Sequence, residues 1–179
     1  DAFKVDLFLS ADEDDVQAAI NSGIAAGIIY RSEKSYEVEP LKEIKIAFDG
    51  DAVIFSDESE KIYQEKGLEA FLAHEKENAN KPLAAGPFAK LFRTVATLQN
   101  ELGENNPIKT ALVTARNSPA HERVIRTFRH WGVRIDKAFF MGGVPKKEVL
   151  KAFDADIFFD DQEIHLSGEV PSARVPYVK

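Results

Sequence analysis

Short, largely apolar runs that stop abruptly at acidic residues constrain this chain more than any other feature. Ile44-Lys45-Ile46-Ala47-Phe48 ends at Asp49-Gly50-Asp51, and Ile157-Phe158-Phe159 ends at Asp160-Asp161. Runs of this length, rich in β-branched and aromatic residues, read as buried strands. A carboxylate at the end of a buried strand is costly unless something pairs with it. Asp-Gly is also a common turn dipeptide, so the first pair taken alone reads equally well as a solvent-exposed turn.

The segments between the runs have helical period. Residues 5–9 and 24–30 read as strands around a helix over 11–20, with acidic residues in its first turn and Gly23 at its end. Residues 31–40 are polar and aperiodic and read as a linker. A helix is expected over 56–66, capped by Ser56 or Asp57 and ended by Gly67, with a second helical stretch over 68–76. Phe88, Leu91, Phe92, Val95, Leu98 and Leu102 fall on one face of a helix ending at Gly103. After a strand over 109–113, Ser118 and Pro119 predict a helix whose buried face carries Val124, Ile125, Phe128 and Trp131. Strands over 138–141, 156–159 and 173–178 complete the pattern, with a helix over 146–153.

Strands alternating with amphipathic helices predict an α/β fold, a mostly parallel sheet flanked by helices on both faces. In such sheets ligands bind at the carboxyl ends of the strands, where strand order switches. Asp49 and Asp51, Thr114, and Asp160 and Asp161 all stand at strand ends, and Lys146 opens a helix just after a strand. Matching chemistry at three separate strand ends outweighs the reading of Asp-Gly as a mere turn.

Composition narrows the chemistry. The 179 residues carry a net charge of −7, which disfavours binding to a nucleic-acid polymer through its phosphates. The chain has no cysteine, which excludes disulfides and thiolate metal sites and fits a cytosolic setting. No apolar run reaches the length of a membrane span.

A phosphomonoester hydrolase without cysteine needs an ionised nucleophile, and a carboxylate beside a cation serves, here Asp49. Asp51 stands two residues on, placed to protonate the leaving oxygen and then to deprotonate water. The Thr114 hydroxyl, the amides of Ala115 and Arg116, and the Lys146 ammonium would surround the transferring phosphoryl group. Crowded carboxylates call for a hard cation, Mg²⁺, held by Asp49, the backbone carbonyl of Asp51, and Asp160 or Asp161. A calcium loop over 49–60 is excluded, because Val53 and Ile54 stand where a ligand and a glycine are required. His74, His121, His130 and His165 show no metal spacing and read as surface or helix residues, with His74 placed where it could meet a base.

Asp49-Gly50-Asp51-Ala52-Val53, Val113-Thr114-Ala115-Arg116, Lys146 and Phe158-Phe159-Asp160-Asp161 resemble the four ordered motifs of the haloacid dehalogenase superfamily of phosphohydrolases. The longer string from Phe48 to Glu60, with Asn80-Lys81-Pro82-Leu83 and Asp160-Asp161-Gln162, is similar to the cytosolic 5′-nucleotidase type I family. The resemblance implies a Rossmann-like fold with a small helical cap insert over 57–87. It also implies a cytoplasmic enzyme that hydrolyses nucleoside 5′-monophosphates with Mg²⁺ through an aspartyl-phosphate. Asp49 becomes the nucleophile, Asp51 the acid/base, and Thr114 and Lys146 the phosphate-binding pair, with Lys147 the competing cation. Phe55, Phe71, Lys81 and Arg116 are candidate contacts to base, sugar or phosphate, with core packing at least an equal reading for the two phenylalanines. A phosphatase for another small phosphomonoester, or a nucleotide- or partner-binding module without turnover, are the alternatives.

The first residues repeat the last. Phe8-Leu9-Ser10-Ala11 stands in its segment as Phe158-Phe159-Asp160-Asp161 stands in the other, with no acidic pair. Residues 1–40 are therefore expected to be the remnant of a preceding, degenerate module plus linker, and 41–179 the catalytic domain. The alternative is a coincidence between two strand–helix units. Exposed strand edges leave room for a homo-oligomer.

Overall fold

The computed structural model describes residues 4–30, 42–166 and 168–179. Among them seven strands form one sheet: β1 (Leu7–Ser10), β2 (Ala25–Ile29), β3 (Ile44–Phe48), β4 (Ile108–Thr114), β5 (Lys137–Phe140), β6 (Ile157–Asp160) and β7 (Ser172–Arg174). The helices are α1 (Glu13–Asn21), α2 (Glu58–Glu77), α3 (Ala89–Leu102), α4 (His121–Trp131) and α5 (Lys147–Phe153). Strand order is β1-β2-β7-β6-β3-β4-β5. Every pairing is parallel except that of β2 with β7. The fold is α/β, a mostly parallel sheet flanked by helices.

Alternation along the central strands divides the core between the two faces. Phe48, Leu112 and Phe159 face Phe55, Phe88, Phe92 and Phe128. Ala47, Ala111, Val113 and Phe158 face Leu150 and Val170. The first face is an aromatic stack: Phe159 lies 5.6 Å from Phe48 and 4.7 Å from Phe88 between ring centroids. Truncating one such ring to alanine costs about 3–5 kcal/mol.

Several local expectations shift. The α1 cap is Asp12, whose carboxylate accepts from the Asp15 amide at 3.0 Å. Gly67 does end the first helical stretch as expected: at φ +80° it divides α2 into two halves, a conformation glycine adopts at little cost. α4 starts at His121 and Ser118 does not cap it, because residues 118–120 form a turn before the helix. Ile125, Leu98 and Leu102 are exposed, so the apolar stripes of α4 and α3 are narrower than their periodicity. The final strand spans only Ser172–Arg174. The expected linker falls in 31–41, outside the described residues.

The N-terminal strands join the same sheet. Phe8, Leu9 and Ser10 pair with Ala26, Gly27 and Ile28, while Phe158, Phe159 and Asp160 pair with Ser172, Ala173 and Arg174. The two parallel pairs meet antiparallel, with Ile28 opposite Arg174. β1–β2 and β6–β7 are thus related by a local two-fold, and Ser10 occupies the register position of Asp160, in one row with Ile28 and Arg174. None of the described helices is long and apolar enough to cross a membrane.

Candidate active site

β3 is the switch point: the chain runs from it to β4 and β5 on one side and to β6 and β7 on the other. The crevice at the carboxyl ends therefore opens over Asp49. Beyond it the backbone turns sharply, with Asp51 at φ −68°, ψ 141° and Ala52 at φ +59°, ψ 0°. These are the central angles of a type II turn, whose second position favours glycine. Buried Ala52 is held there by its surroundings. The Phe55 amide donates back to the Gly50 carbonyl at 2.9 Å. The return of the insert is pinned alongside, as Ser56 donates to Ala84, Gly86 to Ile54 and Phe88 to Val53, each at 2.9 Å. A Cβ on Gly86 would stand 2.1 Å from the Phe55 carbonyl oxygen, so only glycine fits that crossing.

Parallel strands bring three carboxylates together at this end. Asp49, Asp160 and Asp161 each present an oxygen within 4.8 Å of the others. Lys146, at the start of α5, reaches in between: its Nζ lies 2.9 Å from Asp49 Oδ1 and donates to Asp160 Oδ2 at 2.6 Å. Asp160 also accepts from the Gln162 amide at 2.8 Å, and His165 Nδ1 lies 3.1 Å from its Oδ2. Tyr177 donates its hydroxyl to Asp161 Oδ2 at 2.5 Å. Asp161 Oδ1 is buried without a hydrogen-bond partner, and Asp49 Oδ1 has only the Lys146 ammonium beside it.

The electrostatics follow from this sharing. Burial, reinforced by Asp160, Asp161 and Asp51, pushes the Asp49 carboxyl well above its ordinary value, and Lys146 opposes it. Burial pushes Asp160 the same way, but His165 and Lys146 outweigh it and hold it low. Burial carries Asp161 up to about 6 against the Tyr177 bond. Burial lowers the Lys146 ammonium, and Asp49 and Asp160 more than restore it. Three carboxylates share one lysine here, and burial works against ionising Asp49 and Asp161 unless further positive charge arrives. The orphaned Asp161 Oδ1 in an all-oxygen cluster suits a hard cation such as Mg²⁺.

A second network lies beside the first. Arg116 donates from Nε and Nη2 to the two oxygens of Asp51, each at 2.7 Å. Its Nη1 bonds Glu75 of α2. Arg123 Nη1 donates to Glu75 at 2.9 Å, as does the Ser59 hydroxyl. Arg123 also holds the end of the insert, donating from Nε to the Lys81 carbonyl at 2.9 Å.

A model of the 5′-nucleotidase family matches residues 1–179. Human cytosolic 5′-nucleotidase 1B is 39% identical over 173 residues, which cover 93% of this chain and 28% of that protein. The chain belongs to the 5′-nucleotidase family. It spans a little over a quarter of the length of that curated relative. No solved structure matches it.

Within this 5′-nucleotidase fold the site candidates divide by placement. Asp49, Lys146, Asp160 and Asp161 converge directly. Thr114 ends β4 with its hydroxyl beside Gly50 and accepts from the Arg116 amide at 3.3 Å. Ala115 is exposed next to it. Lys147, the competing cation, instead pairs with Glu169 at 2.6 Å on the surface. Phe55, read from sequence as a substrate contact, is corrected: it is fully buried against Phe128 and Trp131, because the turn after Asp51 folds it into the aromatic core. Lys81 is exposed at the end of the insert. Phe71 is half-buried, with its ring 5.4 Å from the Arg116 guanidinium carbon. A cavity of about 830 Å³ lined by Ala52, Ser56, Lys61, Lys90, Arg93 and Tyr177 includes none of the phosphate-handling candidates.

Four neighbours escaped the sequence reading. His165 and Tyr177 hold the two acidic residues after β6, and Glu75 and Arg123 complete the Arg116 network. His165 carried a local signal, five residues after Asp160. Glu75 and Arg123 carried none, since charged residues on amphipathic helices read as solvated. His74 Nδ1 lies 3.2 Å from Glu75, and His121 packs on Phe140 with 5.6 Å between ring centroids.

Proposed function

We propose that this chain hydrolyses nucleoside 5′-monophosphates to nucleoside and phosphate in the cytoplasm, using Mg²⁺. The observation that carries the reading is the buried Asp49–Lys146 pair at the switch point, beside the unpartnered Asp161 Oδ1. Family membership directs it to nucleotides.

Asp49 attacks phosphorus in line with the leaving 5′-oxygen, and the phosphorus–oxygen bond to the nucleoside breaks as the aspartyl ester forms. Asp51, whose two oxygens accept from Arg116, takes up a proton before this step and gives it to the departing oxygen. It then takes a proton from the water that attacks the ester, which releases phosphate and restores Asp49. Thr114, the amides of Ala115 and Arg116, and Lys146 hold the phosphoryl oxygens, with donors aimed where charge grows. Asp49, the Asp51 carbonyl and Asp161 would hold Mg²⁺, which when bound neutralises phosphate charge and orients it. The open Oδ1 of Asp161 favours it over Asp160, whose oxygens are engaged by Lys146 and Gln162.

The insert over 57–87 acts as a cap that meets the nucleoside, with Phe71 beside Arg116 at its inner side. Residues 7–29 are a degenerate counterpart of 157–174, supported by the shared register and the serine at the position of Asp160.

Phosphate release from nucleoside monophosphates and sugar phosphates, with and without Mg²⁺, tests the function. Release from nucleotides that depends on Mg²⁺ is expected. Release from sugar phosphates alone would make the chain a different phosphatase, and binding without turnover would make it a nucleotide-binding module.

A further inference from the structure

Four of the five N–H donors of the Arg116 guanidinium are engaged within the protein. Nε and Nη2 are taken by Asp51, and Nη1 by Glu75 and, at 3.4 Å, the Ala120 carbonyl. It is 3% exposed. A fork held on both carboxylate oxygens fixes the plane of Asp51 as well as its position. Arg116 in turn is fixed by Glu75, which is 1% exposed and sits on the second half of α2, sixteen residues from Ser59 on the first half. Ser59 and Arg123 of α4 hold the Glu75 Oε1 atom, and its Oε2 faces Arg116. The two arginines and the two acids, Asp51 and Glu75, balance in charge, so burial of the group leaves no net charge uncompensated.

We propose that Glu75 is a positioning residue for proton transfer: through Arg116 it sets the orientation of Asp51, so that the acid/base is correctly placed only while the insert is seated on the core. The inference rests on the hydrolytic reading of Asp51 given above. It also directs the Arg116 side chain to Asp51 and Glu75 rather than to the substrate. A side chain from the insert thus reaches the reacting centre through one guanidinium, without touching the substrate itself.

Two measurements on the full 179-residue chain test this. The first compares kcat/KM for a nucleoside 5′-monophosphate and for p-nitrophenyl phosphate in wild type and Glu75→Gln. This ratio of constants reports steps up to the first phosphoryl transfer, in which the nucleoside needs a proton from Asp51 and p-nitrophenolate does not. Glu75→Gln is expected to lower the nucleotide value at least about tenfold more than the p-nitrophenyl value. An equal fall in both overturns the proposal and makes Glu75 a structural residue only. If the glutamine variant does not fold, Ser59→Ala, which removes one bond to Glu75, is expected to give the same selectivity at about threefold.

The second measurement is independent of turnover. Nitrogen-15 spectra of the arginine side chains, with Arg116 assigned through Arg116→Lys, should show separate Nη signals in wild type, because bonds on both sides stop guanidinium rotation. In Glu75→Gln the Nη1 signal should move, since only that nitrogen faces Glu75, and an Nη1 signal unchanged from wild type overturns the link. Should wild type release phosphate from neither compound, the hydrolytic reading fails, while the spectra still decide whether Glu75 holds Arg116.

Discussion

Tyr177 donates its hydroxyl to one oxygen of Asp161 at 2.5 Å and leaves the other oxygen buried and unpartnered. A carboxylate oriented in this way has one direction left in which to bind. Mg²⁺ is therefore expected to raise the thermal midpoint of the wild type, by about 2.7 kcal/mol of stability at a hundredfold excess over its dissociation constant. Asp161→Asn should abolish that rise, and Tyr177→Phe should weaken Mg²⁺ binding about tenfold, as loss of an orienting partner does. Thermal unfolding and calorimetric titration across Mg²⁺ concentrations, with a chelator as the zero point, make the check. A full Mg²⁺ response in Asp161→Asn would place the metal elsewhere.

Lys146 is 3% exposed and lies between two buried carboxylates. Replacing it with methionine leaves Asp49 and Asp160 without their shared cation. The variant should lose about 3–5 kcal/mol of stability, the usual cost of removing one partner from a buried pair. Urea unfolding gives the number, and a midpoint within experimental error of wild type would contradict the charge assignment.

Asp51→Asn keeps the shape of the Asp51 side chain but cannot cycle a proton. Substrate binding should survive, while kcat falls by about 10² to 10⁴, the range for loss of a general acid/base. Equilibrium binding and steady-state rates on the same preparation separate the two effects. Loss of binding with an unchanged kcat would assign Asp51 a different role.

Glu75 makes the stability of the fold depend on acid. Burial raises its carboxyl, but Arg116, Ser59 and Arg123 outweigh burial and leave it below the ordinary value of 4.5. The unfolded chain therefore binds the proton more readily than the folded one. The contribution of Glu75 is full above about pH 4.5 and is lost as pH falls through the lower folded value. Urea midpoints measured from neutral pH into acid should fall less steeply for Glu75→Gln than for wild type. Parallel curves would show that Glu75 does not titrate with folding.

Much of this arrangement was legible in the residues, and the part that was not has a common physical reason. β3 spans residues 44–48, as read from its apolar run, and parallel strands necessarily place Asp49, Thr114 and Asp160 at one end of the sheet. The direction of β1 and β2 was not legible, because their antiparallel join to β7 is a contact across 144 residues or more, such as Ile29 with Ala173. Phe55 stayed open between core and substrate contact because the positive-φ turn at Ala52, which folds its ring inward, leaves no mark in composition. Glu75, Arg123 and Tyr177 were missed because long-range pairing alone makes a buried charge or hydroxyl out of a residue that reads as surface. Arg116 was noticed for its place after Thr114, but its guanidinium partners come from residues 51 and 75.

The central claim is that Asp49 is the group phosphorylated during turnover. The most direct test is phosphate release from a nucleoside 5′-monophosphate by Asp49→Asn beside wild type, at saturating Mg²⁺. Wild type should turn over and Asp49→Asn should release no phosphate above the uncatalysed background. A near-wild-type rate in Asp49→Asn would contradict the covalent mechanism and the role of the switch point with it.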